Sequence, residues 1–448
     1  MKGMTVGLVL LASISCVAGT PRMDRTKLQI GTYCLAERHR DEAHVQEIKD
    51  CGIDFVYGIP ATDRQTLDLC AKHGLGVIAT GAVPFWHGMD GSTAGQMAAL
   101  RPLESYQAAM EKYADHPSVW MLDYVDEPSA LDFPWIAKVT ELVQAKSPKG
   151  VVPYINLYPN YASVVGNTAD QTVNQLGTKT YTEHVEAYVK HMPLDYVCFD
   201  FYVYSAIGKE EFAKKLVMFY ENLEDVARVC RKSGKSLWFI PQVNSSWEGL
   251  WLSENMLRFQ AHLAMAYGAE VLNWACWGIE GVPETPDMPG LNGWWTNNVL
   301  TLDGKRTQQY DKLKKVNGEL RRLGERYMKY RNVATRRTDE GAFVVGDMVA
   351  RDGSGGQAMF VLASDDPFDE RPGVRSYSFK AASARVWGKD GETPCEKGAD
   401  GRSRSSCRPM ARCWSNTPPL SVRTDHVRLL RGCPLRQSLG VIPVSRLK

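Results

Sequence analysis

The sequence predicts an α/β fold, a (β/α)8 TIM barrel followed by a small C-terminal β-sandwich-like domain. From residue 28 onward, a short apolar run, a loop and a segment of helical period follow one another eight times. Alternating strands and helices pair in parallel with right-handed crossovers, and eight such units in about 300 residues match a closed barrel. Past residue 331 the helical period gives way to strand alternation, which marks the second domain.

The predicted barrel strands are runs rich in β-branched and aromatic residues, bounded by turn signals. They span residues 28–35, 53–57, 76–80, 119–125, 151–157, 196–202, 236–240 and 271–275. The segments between them repeat apolar residues every three or four positions, which predicts amphipathic helices. These helices span residues 43–51, 64–73, 104–114, 134–145, 182–191, 212–230, 254–267 and 310–327. An open doubly wound sheet is the alternative, but no Gly-x-Gly-x-x-Gly sequence follows the first strand.

Changes in composition divide the chain into four segments. We predict a signal peptide at residues 1–20, the barrel at residues 21–331 and the small β-domain at residues 332–394. The β-domain has predicted strands at 341–350, 357–363 and 374–379. In residues 395–448 Arg is frequent, Cys recurs and strand alternation fades, so we predict a basic irregular or disordered tail.

The N-terminus has the pattern of a secretory signal peptide. Lys2 precedes an apolar centre at residues 8–12, and small residues near Ala18 suit cleavage. This apolar run is too short to span a membrane, so we expect a secreted or periplasmic protein. Cys16 follows Ser-Ile-Ser, a poor lipoprotein signal, and a lipid anchor at this residue is the lesser alternative.

The distribution of charge argues against nucleic acid as a partner. The formal net charge is +2, but residues 395–448 alone carry 11 Lys and Arg against 3 Asp and Glu. The rest of the chain carries 42 basic and 48 acidic residues, and this mildly acidic body disfavours a polyanion.

The cysteines of the barrel do not form a metal-binding pattern. They are Cys34, Cys51, Cys70, Cys198, Cys230 and Cys276. Most lie in apolar periodic segments, so we interpret them as small buried hydrophobic residues. No Cys-x-x-Cys or His-Glu-x-x-His spacing occurs, and the sequence therefore predicts neither a metal site nor a cofactor.

The fourth predicted strand ends in two carboxylates. Its apolar run breaks into Asp126 and Glu127, and Pro128 then ends the ladder because it has no N–H to donate. Carboxylates at the end of a buried strand are costly unless they are paired, hydrated or functional. Catalytic groups of such barrels lie at the C-terminal ends of the strands, so Glu127 is a predicted catalytic residue. Asp123, on the same strand, is expected to pair with a polar group of a neighbouring strand.

Side chains that follow the other strands should converge on the same mouth. Carboxylates, amides and aromatic rings together are typical of a carbohydrate site, where acids catalyse, amides and tyrosines bind hydroxyls and tryptophans stack on sugar faces. The predicted catalytic residues are Glu127, Glu280 and Asp200, and the predicted substrate-binding residues are Tyr33, Trp86, His87, Asp126, Asn156, Tyr202, Gln242, Asn244 and Trp277. Trp274 is expected in the core, because it alternates with Trp277, the expected sugar platform.

Three stretches resemble the clan A retaining glycoside hydrolases. Residues 124–128, Tyr-Val-Asp-Glu-Pro, are similar to the acid/base signature of that clan, which usually reads Asn-Glu-Pro. Residues 195–202 are similar to its strand six, and residues 269–277 to the strand that ends in the sugar-binding Trp of family 42 β-galactosidases. The resemblance covers roughly residues 28–330 and implies that Glu127 is the general acid/base.

The resemblance also implies a nucleophile that this sequence lacks. A Glu should end strand seven, yet Gln242 stands there, and an amide cannot attack the anomeric carbon. Either Glu280 or Asp200 is the nucleophile, or the enzyme inverts with one of them as the base. In a third route, Asp126 and Glu127 resemble the pair of hexosaminidases, in which the Asp orients the substrate's own 2-acetamido group and the Glu is the acid.

We therefore expect a secreted glycoside hydrolase with a carbohydrate substrate. A non-catalytic glycan-binding barrel is the alternative of a different class, because Gln242 replaces the expected nucleophile. A second carboxylate across the mouth from Glu127 would favour the enzyme, and an otherwise acid-free mouth would favour the binding protein.

Overall fold

A computed structural model of the chain describes most of residues 22–369 and six short strands beyond them. The described residues are 22–88, 91–163, 169–206, 208–245, 250–278, 297–301, 303–338, 343–363, 366–369, 375–379, 386–388, 391–393, 396–397, 403–407 and 413–416. The predicted signal peptide and Glu280 lie outside these ranges.

Eight parallel strands form a closed ring. In chain order the nine strands of this sheet, which are the eight of the ring and the short β4, are β1 (Gln29–Tyr33), β2 (Phe55–Pro60), β3 (Gly76–Thr80), β4 (Trp86–His87), β5 (Val119–Asp126), β6 (Val152–Asn156), β7 (Tyr196–Asp200), β8 (Ser236–Ile240) and β9 (Ala269–Trp274). Their order around the ring is β1, β2, β3, β5, β6, β7, β8, β9 and β1 again, and the short β4 pairs with the end of β5. The ring closes between β6 and β7, where the Leu157 N–H donates to the Cys198 carbonyl at 2.9 Å. The predicted (β/α)8 barrel is confirmed.

Ten helices of the described chain surround the strands or connect them. They are α1 (Glu42–Asp50), α2 (Arg64–Lys72), α3 (Met97–Leu100), α4 (Leu103–Lys112), α5 (Phe133–Lys146), α6 (Ala169–Leu176), α7 (Tyr181–His191), α8 (Lys209–Ser233), α9 (Glu254–Ala266) and α10 (Gln308–Tyr327). Side chains of Asp41, Asp63 and Thr180 cap three of them by accepting a backbone N–H of the first turn. Within the described residues, no helix is long and apolar enough to cross a membrane.

The barrel interior changes from apolar to polar along its axis. Near the amino ends of the strands, Gly31 and Gly76 leave room for aromatic rings, since a Cβ at either position would lie about 2 Å from the ring of Phe55 or Trp120. Above this layer the rings of Tyr33 and Tyr57 stack with their centroids 4.1 Å apart. Small and large side chains therefore fill the interior as a packed core, and the polar groups above it face the mouth.

The C-terminal part is a β-domain that packs against α9. Its strands are β10 (Tyr330–Arg337), β11 (Phe343–Ala350), β12 (Gln357–Ala363), β13 (Arg375–Phe379), β14 (Val386–Gly388), β15 (Gly391–Thr393), β16 (Glu396–Lys397), β17 (Ser403–Cys407) and β18 (Cys413–Asn416). The main antiparallel sheet has the order β10, β11, β12 and β18. Gly346 of β11 approaches α9 so closely that a Cβ would lie 2.2 Å from the Ala266 carbonyl oxygen, and Phe360 of β12 contacts His262 edge-on.

Three strands lie where the sequence predicted an irregular tail. The prediction of residues 395–448 as irregular is wrong for Glu396–Lys397, Ser403–Cys407 and Cys413–Asn416. Strand β17 pairs with β13 and β16, and β18 pairs with β12. Residues of this segment after 416 lie outside the described chain. Pairing with β12 satisfies backbone groups that would otherwise form an open sheet edge, and these hydrogen bonds do not require alternating side chains. The side-chain composition of this segment therefore gives no sign of its strands.

Candidate active site

The carboxyl ends of β5, β6 and β7 bring three predicted residues together. The Asn156 Nδ2 donates to Asp126 Oδ1 at 3.1 Å and to Asp200 Oδ1 at 2.8 Å. One amide nitrogen therefore bridges two carboxylates that are 74 positions apart in the sequence. Asp200 and Asn156 are buried, whereas the Asp126 side chain keeps 33% of its surface exposed at the barrel mouth.

Glu127 adopts a strained backbone conformation directly after β5. Its φ is +46°, in the left-handed region, which costs a non-glycine residue about 1 kcal/mol or more. The Glu127 N–H donates to the Asn156 carbonyl at 2.9 Å, and Gly88 packs against the Glu127 carbonyl oxygen. Backbone strain of this kind is frequent at active sites, where the surrounding structure holds it. This turn ends the regular alternation of β5 at Glu127, whose side chain is 22% exposed.

His87 on β4 faces both carboxylates of the Asp126–Glu127 pair. Its Nε2 lies 3.6 Å from Glu127 Oε2 and 3.9 Å from Asp126 Oδ2. When the imidazole is protonated, its charge favours the ionised form of a neighbouring carboxylate. The two-residue strand β4 holds this ring in place because it pairs in register with Val125 and Asp126 of β5.

Burial raises the pKa of both bridged carboxylates. Loss of hydration raises the pKa of Asp126, although His87 and the amide of Asn156 act in the opposite direction. Burial raises the pKa of Asp200 to about 7, and the negative charge of Asp126 adds to this effect. The hydrogen bonds from Asn156 and Tyr161 favour the ionised form of Asp200 and limit the rise. Asp200 can therefore gain or lose a proton near neutral pH.

Tyr161 is a member of this cluster that sequence reasoning missed. It lies on the short 3-10 helix Asn160–Ser163 after β6, and its hydroxyl donates to Asp200 Oδ2 at 3.4 Å. Burial raises the pKa of Tyr161, and the charges of Asp200 and Glu127 raise it further, which places the hydroxyl within electrostatic range of both. The predicted site residues directly follow the strands, whereas Tyr161 lies five positions beyond the end of β6. The polar, aromatic run Tyr158 to Tyr161 was the available signal.

Asp123 lies one layer below the mouth. The Tyr57 hydroxyl on β2 donates to Asp123 Oδ2 at 2.8 Å, so this carboxyl pairs with a neighbouring strand, as expected. The side chain is buried, and burial together with the charge of Asp126 raises its pKa well above the usual range.

Tyr33 and Tyr202 flank the carboxylate cluster. Both side chains are half-buried at the ends of β1 and β7. Burial is the main cause that raises the pKa of each hydroxyl, and the charge of Asp126 contributes to both. The Tyr33 hydroxyl also lies 2.6 Å from that of Tyr154, so part of its hydrogen-bonding capacity is already used within the barrel.

Four other predicted substrate-binding residues are buried, namely Trp86, Gln242, Asn244 and Trp277. The Gln242 side chain accepts the Tyr204 N–H at 2.6 Å and donates to the Asn244 carbonyl at 2.9 Å, so it holds the loop after β8. Asn244 is 1% exposed, and its amide donates to Asn298. Like Gln242, it therefore bonds within the protein, whereas both residues were predicted to bind substrate. Trp86 is 5% exposed beside the end of β5.

The prediction that Trp277 presents a face to a sugar is wrong. Its ring is completely buried and meets the ring of Tyr310 on α10 edge-on. The backbone N–H of Trp277 donates to the Tyr33 carbonyl at 2.8 Å, so the chain still runs beside β1 at this point, and the Trp277 side chain lies in the core. Trp274 is buried as expected, and its Nε1 donates to Asn317 at 3.0 Å.

No protein-family model and no curated protein matches the sequence. The fold is similar to a β-glucuronidase from Ruminococcus gnavus, with 12% identity, a TM-score of 0.45 and coverage of 67% of this chain and 52% of that chain. It is also similar to the GH51 arabinofuranosidase from Xanthomonas axonopodis pv. citri, with 9% identity, a TM-score of 0.43 and coverage of 90% and 98%. Endo-glycoceramidase II from Rhodococcus sp. has 12% identity, a TM-score of 0.42 and coverage of 88% and 98%.

The chain spans about half the length of the glucuronidase. These similarities are distant, and the barrel is defined by the strand pairing described above.

Proposed function

We propose that this protein is a glycoside hydrolase that cleaves O-glycosidic bonds of an oligo- or polysaccharide. The observation that carries the proposal is the meeting of Asp126, Glu127 and Asp200 at the carboxyl ends of two barrel strands. Glycoside hydrolysis by the usual routes needs two carboxyl groups beside the scissile bond. A mouth with three carboxyls favours an enzyme over the non-catalytic glycan-binding barrel.

Glu127 is the proposed general acid/base. It follows β5 at the mouth, is partly exposed and faces His87, so a bound glycoside can reach its carboxyl from solvent. In this role Glu127 donates a proton to the leaving oxygen, and the conjugate carboxylate then accepts a proton from water. The left-handed backbone conformation of Glu127 supports this assignment, because it sets the direction in which the side chain leaves the backbone.

Asp200 is the proposed second carboxylate. Gln242 is an amide whose oxygen and nitrogen both bond within the protein, and it cannot supply a nucleophile. Asp200 is held by Asn156 and Tyr161, and its pKa of about 7 makes a substantial ionised fraction available at neutral pH. The ionised carboxylate would act either as nucleophile or as the base for water.

A substrate-assisted route is the second candidate, and the exposure of Asp126 favours it. Asp126 is 33% exposed and shares His87 with Glu127, whereas Asp200 is 4% exposed. In this route Asp126 orients a 2-acetamido group of the substrate, which attacks the anomeric carbon, and Glu127 remains the acid. It requires a 2-acetamido sugar and no enzyme nucleophile.

Paired variants distinguish these roles. Glu127→Gln should lower turnover of aryl glycosides with poor leaving groups by about 10²- to 10⁴-fold and spare those with good leaving groups, which need no proton. Asp200→Asn should impair both kinds of substrate, and azide should restore turnover of the good ones if Asp200 is the nucleophile. Asp195→Asn, at the opposite end of β7, is the matched control and should leave turnover unchanged.

Two outcomes would change the proposal. Full turnover of poor substrates by Glu127→Gln would remove Glu127 from the mechanism. Activity confined to 2-acetamido sugars, lost in Asp126→Asn and kept in Asp200→Asn, would establish the substrate-assisted route. The same assay tests Glu280 as the nucleophile. If Glu280 has this role, azide should restore turnover of Glu280→Gln and not of Asp200→Asn.

Secretion is a separate part of the proposal and rests on residues 1–20. Expression of the full chain in a bacterial host followed by sequencing of the exported protein's N-terminus tests it. A mature N-terminus near residue 20 supports secretion, a lipid on Cys16 supports the anchored alternative, and an intact cytoplasmic chain contradicts both.

A further inference from the structure

Two cysteines lie side by side where the barrel ring joins its first and last strands. The parallel register of β1 and β9 pairs Gln29 with Val271 and Thr32 with Trp274. Cys34 directly follows β1 and Cys276 lies two residues after β9, so the two cysteines lie on adjacent segments just beyond the paired strands. The backbones remain joined beyond the strand ends, because the Gly278 N–H donates to the Cys34 carbonyl at 3.1 Å.

The distance between neighbouring strands suits a disulfide. Adjacent strands lie about 4.8 Å apart, and disulfides join Cα atoms that are about 4.4 to 6.8 Å apart. Cys276 is the main influence on the pKa of Cys34, and Cys34 is the main influence on that of Cys276, so the two thiols lie close together, and both residues are free cysteines. A disulfide between these two adjacent segments is therefore compatible with the usual spacing of neighbouring strands.

Cys34 differs from the other cysteines of the described barrel. Burial raises the pKa of Cys51, Cys70, Cys198 and Cys230, which agrees with their interpretation as buried hydrophobic residues. The hydrogen bond with Cys276 is the main cause that lowers the pKa of the Cys34 thiol, and the charge of Arg40 acts in the same direction. Cys34 is also half-buried rather than buried, so the interpretation as a buried hydrophobic residue is wrong for it.

We propose that Cys34 and Cys276 form a redox-active thiol pair, which a low-molecular-weight disulfide oxidises to a disulfide across the seam between β1 and β9. The Cys34 thiolate attacks one sulfur of the oxidant, forms a mixed disulfide and releases one thiolate. Cys276 then loses its proton and attacks the Cys34 sulfur, which forms the Cys34–Cys276 bond and releases the second thiolate. The two protein sulfurs lose two electrons, and the oxidant takes up these electrons and both protons as two thiols.

The pair lies beside the carboxylate cluster. Tyr33 precedes Cys34 in the chain, and the charge of Cys276 contributes to the raised pKa of Tyr202, which places that sulfur near the mouth. The oxidised form would tie the segment after β9 to β1 at the edge of the site. This modification site does not depend on the proposed hydrolase activity.

Peptide mapping of the oxidised full-length protein tests the proposal. The reduced protein is incubated with oxidised glutathione, blocked with N-ethylmaleimide and digested without reduction. We expect a peptide pair linked through Cys34 and Cys276 that dithiothreitol separates. Cys276→Ser should stop at a glutathione adduct on Cys34, Cys34→Ser should give neither product, and Cys70→Ser is the control that should behave as the wild type.

The wild-type protein alone provides the deciding result if a variant fails to fold. We expect Cys34 to react with maleimide at a lower pH than glutathione does, since the thiolate is the reacting species. A folded wild-type protein whose Cys34 and Cys276 remain separately alkylated after glutathione treatment would overturn the proposal. Reaction of Cys34 only at or above the pH of glutathione would overturn the role of Cys34 as the attacking thiol.

Discussion

Asn156 on β6 donates a hydrogen bond of 2.8 Å to the Asp200 carboxylate on β7. The same nitrogen reaches Asp126 on β5, so one amide supports two carboxylates whose pKa values burial raises. A hydrogen bond to the ionised form opposes the effect of burial. The protonation state of the mouth therefore depends on a neutral side chain between the two acids.

Replacement of Asn156 tests this dependence. In Asn156→Ala the ionised forms of Asp126 and Asp200 lose a donor, so the limb of the kcat/KM profile that Asp200 sets should move to higher pH. A hydrogen bond to a charged group contributes about 1.5–3 kcal/mol, which corresponds to a loss of roughly 10- to 100-fold at neutral pH. The exposed Asn174→Ala is the control and should leave the profile unchanged. An unshifted profile in Asn156→Ala would contradict the bridging role.

Asp200 should make the folded protein less stable as pH rises. An Asp titrates near pH 3.9 in an unfolded chain and near 7 at this site, so the folded state binds more protons between these values. The free energy of unfolding therefore falls as pH increases from about 4 to about 7, by on the order of 2–4 kcal/mol.

Urea unfolding of the wild type and of Asp200→Asn at pH 4.5 and 7.5 measures this effect. Asparagine does not titrate, so the stability of the variant relative to the wild type should increase with pH. The pKa of Asp126 is also raised, so the free energy of unfolding of the variant should still fall as pH increases. An equal difference between the two proteins at both pH values would show that Asp200 titrates normally.

The hydrogen bond between Tyr57 and Asp123 should contribute to stability rather than to catalysis. Tyr57→Phe leaves a buried carboxyl without its donor and should lower the free energy of unfolding by about 1–3 kcal/mol. Asp123→Asn should cost less, because burial raises the pKa of Asp123 and so favours the neutral carboxyl, which an amide resembles. Chemical denaturation checks both values, and an equally large loss in Asp123→Asn would indicate a buried charge.

Gly88 should be needed for the position of Glu127. A Cβ at residue 88 would lie 1.8 Å from the Glu127 carbonyl oxygen and 2.3 Å from the Tyr158 hydroxyl. Since a backbone atom cannot move aside as a side chain does, Gly88→Ala should cost roughly 1–3 kcal/mol and lower turnover. Gly356→Ala, whose nearest contact would be 3.3 Å away, is the control. Wild-type stability and turnover in Gly88→Ala would show that the loop adapts freely.

Much of the barrel could be predicted because strands and helices leave local patterns. The predicted strands at 76–80 and 236–240 coincide with β3 and β8, whose central residues are all apolar, as in strands covered on both faces. The end of β5 was also visible, because an apolar run that breaks into Asp126 and Glu127 before a proline is a local signal. Strand β18 was missed because backbone pairing with β12 leaves no such pattern.

The sequence by itself determined the succession of eight strand–helix units and the presence of carboxylates at the end of β5. Only the tertiary structure decided that Asn156 lies between Asp126 and Asp200, that Trp277 is buried and that Cys34 meets Cys276. The physical reason is that strand periodicity sets side-chain direction only while the strand lasts. Beyond the strand ends, the closure and register of the ring determine which side chains become neighbours. Asn156 and Asp200, for example, are 44 residues apart in the sequence.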